Sequence, residues 1–145
     1  MIYLDASVVV AALTNEPRSS VVRAWLAGKD DNGLAVSHWT RVEVASALSI
    51  KARRSELSAE QQRSAMDVLD VLANGVTNWM IAAPIVADFE LAEQLSGQAK
   101  LNLRGGDALH LAIAHRHDWV LATLDKAMRN AAERAGIILE PELID

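Results

Sequence analysis

Four acidic residues stand at positions where a carboxylate is unusual, and they are the residues best placed to do chemistry. Asp5 and Asp125 come at or just after two short apolar runs, and Glu43 and Asp107 lie in otherwise apolar segments. Carboxylates are rarely buried without partners, since removing a charge from water is costly. Four acids that converge on one crevice repel each other unless a cation neutralises them. A hard ion with oxygen ligands, Mg²⁺ above all, can do so.

Each of these acids also has a plainer interpretation. Asp5 and Asp125 could cap the helices that follow them. Glu43 could face solvent, and Asp107 could simply favour a helix N-terminus. The combination of four therefore predicts a metal site, which no single one of them does. Such a site would activate a water and stabilise charge on a phosphodiester during in-line displacement, with either one or two ions.

The elements that must position these acids alternate between short apolar strands and helices. The predicted strands cover residues 1–4, 34–36, 79–83, 119–123 and 137–139. The predicted helices cover residues 7–13, 17–28, 40–54, 58–73, 85–96, 107–114 and 125–135. This alternation is typical of βαβ units and predicts one α/β domain over residues 1–145, with a parallel sheet of about five strands and helices on both faces. Sites in such sheets form beyond the carboxyl ends of the strands.

Composition narrows the function classes. The chain has 145 residues, of which 51% are hydrophobic and 4% aromatic, so we expect a core of Ala, Val, Leu and Ile. The absence of cysteine excludes a disulfide framework, a thiolate zinc site and a cysteine nucleophile. The longest uncharged run, 71–87, is shorter than the roughly 20 apolar residues of a membrane span. With no secretory signal at the start, we expect a soluble, cytoplasmic protein.

Four sequence pieces resemble the PIN-domain family, and within it the VapC toxins of bacterial toxin–antitoxin pairs. They are LDAS at 4–7, TRVEV at 40–44, RGGDALHLA at 104–112 and TLD at 123–125. The pieces occur in the family's order over nearly the whole chain, and the third is the most specific. Ala6 is a departure, because many relatives carry Thr there.

The resemblance implies a Rossmann-like sheet and cleavage of RNA that depends on Mg²⁺ or Mn²⁺. It also implies a homodimer and a cognate VapB-type antitoxin whose C-terminal segment blocks the site. Carried over by position, Asp5, Glu43, Asp107 and Asp125 match the acidic quartet that serves as catalytic and metal-binding set. Ser7 and Thr123 match supporting hydroxyls that orient carboxylates or waters.

Several other residues are candidates for weaker roles. Arg104 could contact phosphate, and Lys51, Arg53 and Arg54 form a basic cluster at a helix end that could contact RNA backbone or simply favour the helix dipole. A structural or surface role is predicted for His110, His115 and His117 in preference to zinc. Gly105 and Gly106 are expected to let the backbone approach the site closely.

Three other functions stay open at this point. Another carboxylate–Mg²⁺ enzyme, such as a phosphatase, would use an acid after the first strand, but it leaves Glu43 and the Asp107 segment unexplained. A catalytically inactive PIN domain kept as a binding module would be expected to lack an acid, and none is missing. A DNase on the same fold is the third, since only the resemblance favours RNA. The net charge of −5 is unusual for a nucleic-acid enzyme unless metal offsets the carboxylates.

Overall fold

The computed structural model describes residues 1–29, 33–74 and 79–143, and within them a parallel sheet forms the centre of the molecule. Its strands are β1 (Ile2–Leu4), β2 (Leu34–Ser37), β3 (Met80–Ala82) and β4 (Val120–Ala122). The order across the sheet is β3-β2-β1-β4, and each neighbouring pair is parallel. The carboxyl ends of all these strands therefore lie at one edge of the sheet.

The helices follow the predicted order, with ends that differ by a few residues. They are α1 (Ala6–Leu13), α2 (Ser19–Ala27), α3 (His38–Arg53), α4 (Ala59–Asn74), α5 (Val86–Ser96), α6 (Gly105–Arg116) and α7 (Lys126–Ala135). Single turns of 3₁₀-helix cover Ala99–Leu101 and Pro141–Leu143. Helix α6 begins two residues earlier than predicted, so that Gly105 and Gly106 form its first turn.

Helices cover both faces of the sheet, as predicted, and each face has its own apolar core. Successive strand residues point to opposite faces, so Tyr3 belongs to one core and Leu4 to the other. The Tyr3 core is closed by α5, α6 and α7. The Leu4 core is closed mainly by α1, α2, α3 and α4. Apart from a few aromatic rings, both cores consist of small and branched aliphatic side chains, which fits the low aromatic content of the sequence.

The predicted fifth strand is reduced to one isolated parallel bridge between Leu139 and Leu121. Two backbone hydrogen bonds of 2.8 Å, one from Leu121 N–H to Ile138 and one from Glu140 N–H to Leu121, hold it to β4. Helix α7 ends at Gly136 and the next 3₁₀ turn begins at Pro141, so little chain remains for pairing. Proline itself has no N–H to extend a ladder.

Within the described ranges, no helix is both long and apolar enough to cross a lipid bilayer.

Candidate active site

Asp5 begins the site, because it directly follows β1 and is almost fully buried. It caps helix α1, with Oδ1 accepting the backbone N–H of Val8 at 3.1 Å. Oδ1 also accepts the Ser7 hydroxyl at 2.6 Å, and Oδ2 accepts the Thr123 hydroxyl at 2.6 Å. A carboxylate has about four acceptor positions, and these hydrogen bonds occupy three of them. The bond from Thr123 links residues that are 118 positions apart in the sequence.

The two hydroxyls that hold Asp5 also hold the loop after β4. The Thr123 oxygen accepts the backbone N–H of Asp125 at 3.0 Å, and the Ser7 oxygen accepts that of Leu124 at 2.9 Å. Asp125 in turn caps α7, with Oδ1 accepting the N–H of Met128 at 2.9 Å. The capping interpretations of Asp5 and Asp125 are therefore both correct, and they fix the two carboxylates to the same end of the sheet.

Glu43 does not face open solvent. It lies on the second turn of α3, and its side chain is 28% exposed. Its Oε2 is 2.5 Å from Nε2 of His110 on α6, and Nδ1 of His110 is 2.8 Å from the Tyr3 hydroxyl. Burial raises the pKa of Tyr3 well above its ordinary value, so the phenol keeps its proton.

Asp107 lies in the first turn of α6 and is half-buried. Burial raises its pKa above the ordinary value, the negative charges of Asp125 and Glu43 raise it further, and His110 lowers it. A hydrogen bond with the backbone of Arg104 also lowers it. The negative charges of Asp125 and Glu43 therefore both act on Asp107. Burial raises the pKa of Asp5 as well, against the lowering effect of His110 and of its three hydrogen bonds.

All four predicted acids line one cleft of about 550 Å³ at the carboxyl end of the sheet. The cleft has a fifth carboxylate, Glu16, and two basic side chains, Arg18 and Lys51. Lys51 is paired with Glu16 at 2.7 Å and with Glu56 at 3.2 Å, and the bond to Glu16 raises the pKa of Lys51. The net charge of the cleft is therefore negative.

The other basic candidates lie elsewhere. Arg53 and Arg54, at the C-terminal end of α3, are exposed and do not line the cleft. Arg104, the residue before α6, is exposed and also outside the lining. Of the four basic residues singled out from the sequence, the structure brings only Lys51 to the acids.

The chemistry of this residue set fits a hard divalent cation. The candidate ligands are carboxylate oxygens, which Mg²⁺ prefers, and the pKa of Asp107 is raised by burial and by the negative charges of Asp125 and Glu43. Within the described ranges, however, no three acidic or imidazole groups stand close enough to enclose an ion. Repulsion among like charges favours such an open arrangement, and an ion bound by three of these groups would require their side chains to move closer together.

Sequence reasoning missed the contact of Tyr3 and His110 with the site. His110 was assigned a structural or surface role, yet it is buried and bonded to Glu43. One signal was available: His110 comes three residues after Asp107, and residues at that spacing lie on the same side of a helix. Tyr3 gives no such signal, because an aromatic residue in an apolar strand is ordinarily part of the core.

Comparisons with known proteins agree on one family. The family model described as PIN domain matches residues 2–134. Ribonuclease VapC47 of Mycobacterium tuberculosis is 30% identical over 144 residues, which cover 95% of this chain and 94% of the relative. Ribonuclease VapC45 of the same organism is 28% identical over 149 residues, covering 100% of this chain and 98% of the relative.

Solved structures share the fold at lower sequence identity. FitAcB from Neisseria gonorrhoeae superposes with a TM-score of 0.73 at 19% identity and full coverage of both chains. M. tuberculosis VapC20, a toxin that cleaves the sarcin–ricin loop, gives 0.71 at 16% identity over 95% of this chain and 97% of its own. VapBC-1 from nontypeable Haemophilus influenzae gives 0.65 at 16% identity over 97% of each chain.

Proposed function

The chain belongs to the PIN-domain family, and we propose that it is a Mg²⁺-dependent endoribonuclease of the VapC type that also accepts Mn²⁺. The observation that carries the proposal is the position of Asp5, Glu43, Asp107 and Asp125 around one cleft. Because that cleft is negative, an anionic phosphodiester can enter it only when cations offset the carboxylate charge. The ribonuclease relatives support RNA as the substrate.

The surroundings of each acid suggest its role. Asp5, held by three donors, is the carboxylate fixed most firmly in place, and Ser7 and Thr123 keep its orientation. Glu43 and Asp107 face it from α3 and α6. A bound divalent cation would activate a water for attack and offset charge on the phosphodiester. No side chain of the cleft needs to act as the nucleophile.

Of the basic residues predicted from the sequence, Lys51 is the one best placed to contact the RNA backbone, since it lines the cleft beside the acids. Its pairing with Glu16 and Glu56 leaves it able to exchange a carboxylate for a phosphate of the substrate. Arg53, Arg54 and Arg104 could contact phosphates further along the RNA, because their side chains are exposed outside the cleft.

We also propose that a VapB-type antitoxin neutralises the chain and that the chain forms a homodimer. The fold shared with VapBC-1 and FitAcB supports the antitoxin. Co-purification of the chain with the product of a neighbouring gene for a small DNA-binding protein, followed by mass measurement in solution, tests both statements. A toxin that remains monomeric, or fully active with that product present, would contradict them.

RNA cleavage by antitoxin-free protein tests the main proposal. We expect discrete cleavage of a mixed cellular RNA pool with Mg²⁺ or Mn²⁺ and none with EDTA. Parallel reactions with single-stranded DNA and with a small phosphate monoester separate the alternatives. Cleavage of DNA alone would favour a DNase, phosphate release alone a phosphatase, and no reaction from folded protein an inactive binding module.

A further inference from the structure

A cluster of polar side chains lies in the middle of the apolar core behind the cleft. Tyr3 on β1, Ser37 at the end of β2, Thr40 on α3 and His110 on α6 are each at most 1% exposed. Buried polar groups have to be hydrogen-bonded to be tolerated. The Tyr3 hydroxyl is 2.7 Å from the Ser37 oxygen, 3.2 Å from that of Thr40 and 2.8 Å from Nδ1 of His110.

One arrangement of hydrogens satisfies this cluster. An ionised carboxylate can only accept, so the hydrogen between Glu43 and His110 lies on Nε2. In the neutral imidazole Nδ1 is then an acceptor and takes the Tyr3 hydrogen. The Tyr3 oxygen is left to accept from Ser37, while the Thr40 hydroxyl donates to the carbonyl of Leu4 at 3.3 Å. Each group thus donates to the next, from Ser37 to Tyr3, from Tyr3 to His110 and from His110 to Glu43.

We propose that Tyr3 and His110 are positioning residues that hold Glu43 for the metal ion. His110 occupies Oε2 of Glu43 and leaves Oε1 available to a cation. Tyr3 donates to Nδ1 of that ring and so holds the plane of the imidazole. The inference rests on the proposed function, because it assumes that Glu43 serves as a metal ligand.

A merely structural role explains less of the geometry. The Tyr3 core consists otherwise of apolar residues packed between the sheet and α5, α6 and α7, and an apolar side chain in place of His110 would satisfy that packing. The imidazole instead extends from the core to the edge of the cleft and contacts one of its acids.

Two substitutions separate positioning from packing. In His110→Gln the amide nitrogen can still reach the place of Nε2 and donate to Glu43, whereas in His110→Asn the shorter amide reaches only the place of Nδ1. The readout is Mn²⁺ affinity of the folded, RNA-free protein by calorimetry. We expect His110→Asn to weaken Mn²⁺ binding about 10- to 100-fold, as removal of such partners does elsewhere, and His110→Gln by less than about 10-fold.

The controls distinguish the possible failures. Equal affinity in wild type and both His110 variants, or equal losses in the two variants, would overturn the positioning role. Wild type that binds no Mn²⁺, or that binds it no better than Glu43→Gln, would instead refute the proposed metal site on which the inference rests. If either His110 variant does not fold, Tyr3→Phe is measured in place of the two His110 variants. This substitution removes only the hydroxyl oxygen and keeps the ring. Unchanged Mn²⁺ affinity in folded Tyr3→Phe would overturn the role of Tyr3.

Discussion

Gly106 and Glu43 approach each other so closely that residue 106 has no room for a side chain. A Cβ on Gly106 would lie 2.8 Å from Oε1 of Glu43 and 3.3 Å from Cζ2 of Trp39. The same Glu43 is held through Oε2 by His110, which lies on the helix that has Gly106 in its first turn. The absence of a Cβ at position 106 therefore leaves the Glu43 carboxylate the place that it occupies between α3 and α6.

Gly106→Ala should impair cleavage without unfolding the protein. The added methyl has to displace the Glu43 carboxylate, and a misplacement of about 1 Å at a reacting centre can cost about 100-fold in rate. The neighbouring Gly105→Ala is a matched control, because a Cβ there meets nothing within 4 Å. We expect Gly105→Ala to keep its activity and its melting temperature. Equal activity in the two variants, measured as RNA cleavage rate, would contradict the close-approach argument.

The fold could be predicted well from the sequence because the residues that begin and end its helices act locally. Asp5, Ser37 and Asp125 each cap the next helix, and Gly136 ends α7 in the left-handed region, so helix boundaries can be predicted from residue types. A full strand was predicted at 137–139 because these residues have high β propensity, but propensity takes no account of the residues that follow. There Pro141 begins a new turn and limits pairing to one bridge.

The sequence and its family resemblance predicted the acids of the candidate site and the Ser7 and Thr123 hydroxyls that bond Asp5. Asp5, Glu43, Asp107 and Asp125 were found from residue type and position, and they do line one cleft. The bonds from His110 to Tyr3 and Glu43 span 107 and 67 residues of sequence, and no local pattern encodes contacts of that range. Gly105 and Gly106 look alike in the sequence, yet only the packing of α6 against α3 shows which one is required.

The metal-free protein should lose stability through Asp107 as the pH rises. Burial, Asp125 and Glu43 raise the folded-state pKa of Asp107 above 3.8, so the folded state binds this proton more tightly than the unfolded state. The contribution of Asp107 to folding stability is then greatest at low pH. It is lost as the pH rises from the pKa of Asp107 in the unfolded state through its pKa in the folded state. We would measure the free energy of unfolding by urea, with EDTA present, between about pH 4 and pH 7. As the pH rises over this range, Asp107→Asn should become more stable relative to wild type. A constant difference, or one that changes in the opposite direction, would contradict the raised pKa of Asp107.

Divalent metal should stabilise the folded chain at neutral pH. An ion that binds only the folded state adds about 2.7 kcal/mol at a concentration 100 times its Kd. We expect Mg²⁺ and Mn²⁺ to raise the melting temperature of wild type, and NaCl at equal ionic strength to have little effect. Asp125→Asn should lose most of the shift. A shift of the same size in that variant would contradict the assignment of Asp125 as a metal ligand.

Lys51→Ala should weaken RNA binding in a salt-dependent way. Each phosphate contact contributes close to one unit to the slope of log affinity against log salt. We expect the slope to become shallower by about 1 in Lys51→Ala, measured at a fixed Mg²⁺ concentration with a non-cleavable RNA analogue so that cleavage does not interfere. Glu56→Gln is a useful companion, because it removes one of the carboxylates paired with Lys51 without touching the cleft lining. An unchanged slope in Lys51→Ala would show that this lysine makes no phosphate contact and serves only in its ion pairs.

The most direct test of the account is the Mg²⁺-dependent RNA cleavage rate of four single variants: Asp5→Asn, Glu43→Gln, Asp107→Asn and Asp125→Asn. Two exposed acids outside the cleft provide matched controls, Asp67→Asn on α4 and Glu133→Gln on α7. We predict that each of the four variants loses about 100- to 1,000-fold in rate while remaining folded, and that both controls cleave like wild type. Full metal-dependent cleavage by any of the four would contradict the assignment of that carboxylate. Full cleavage by all of them would contradict the site itself.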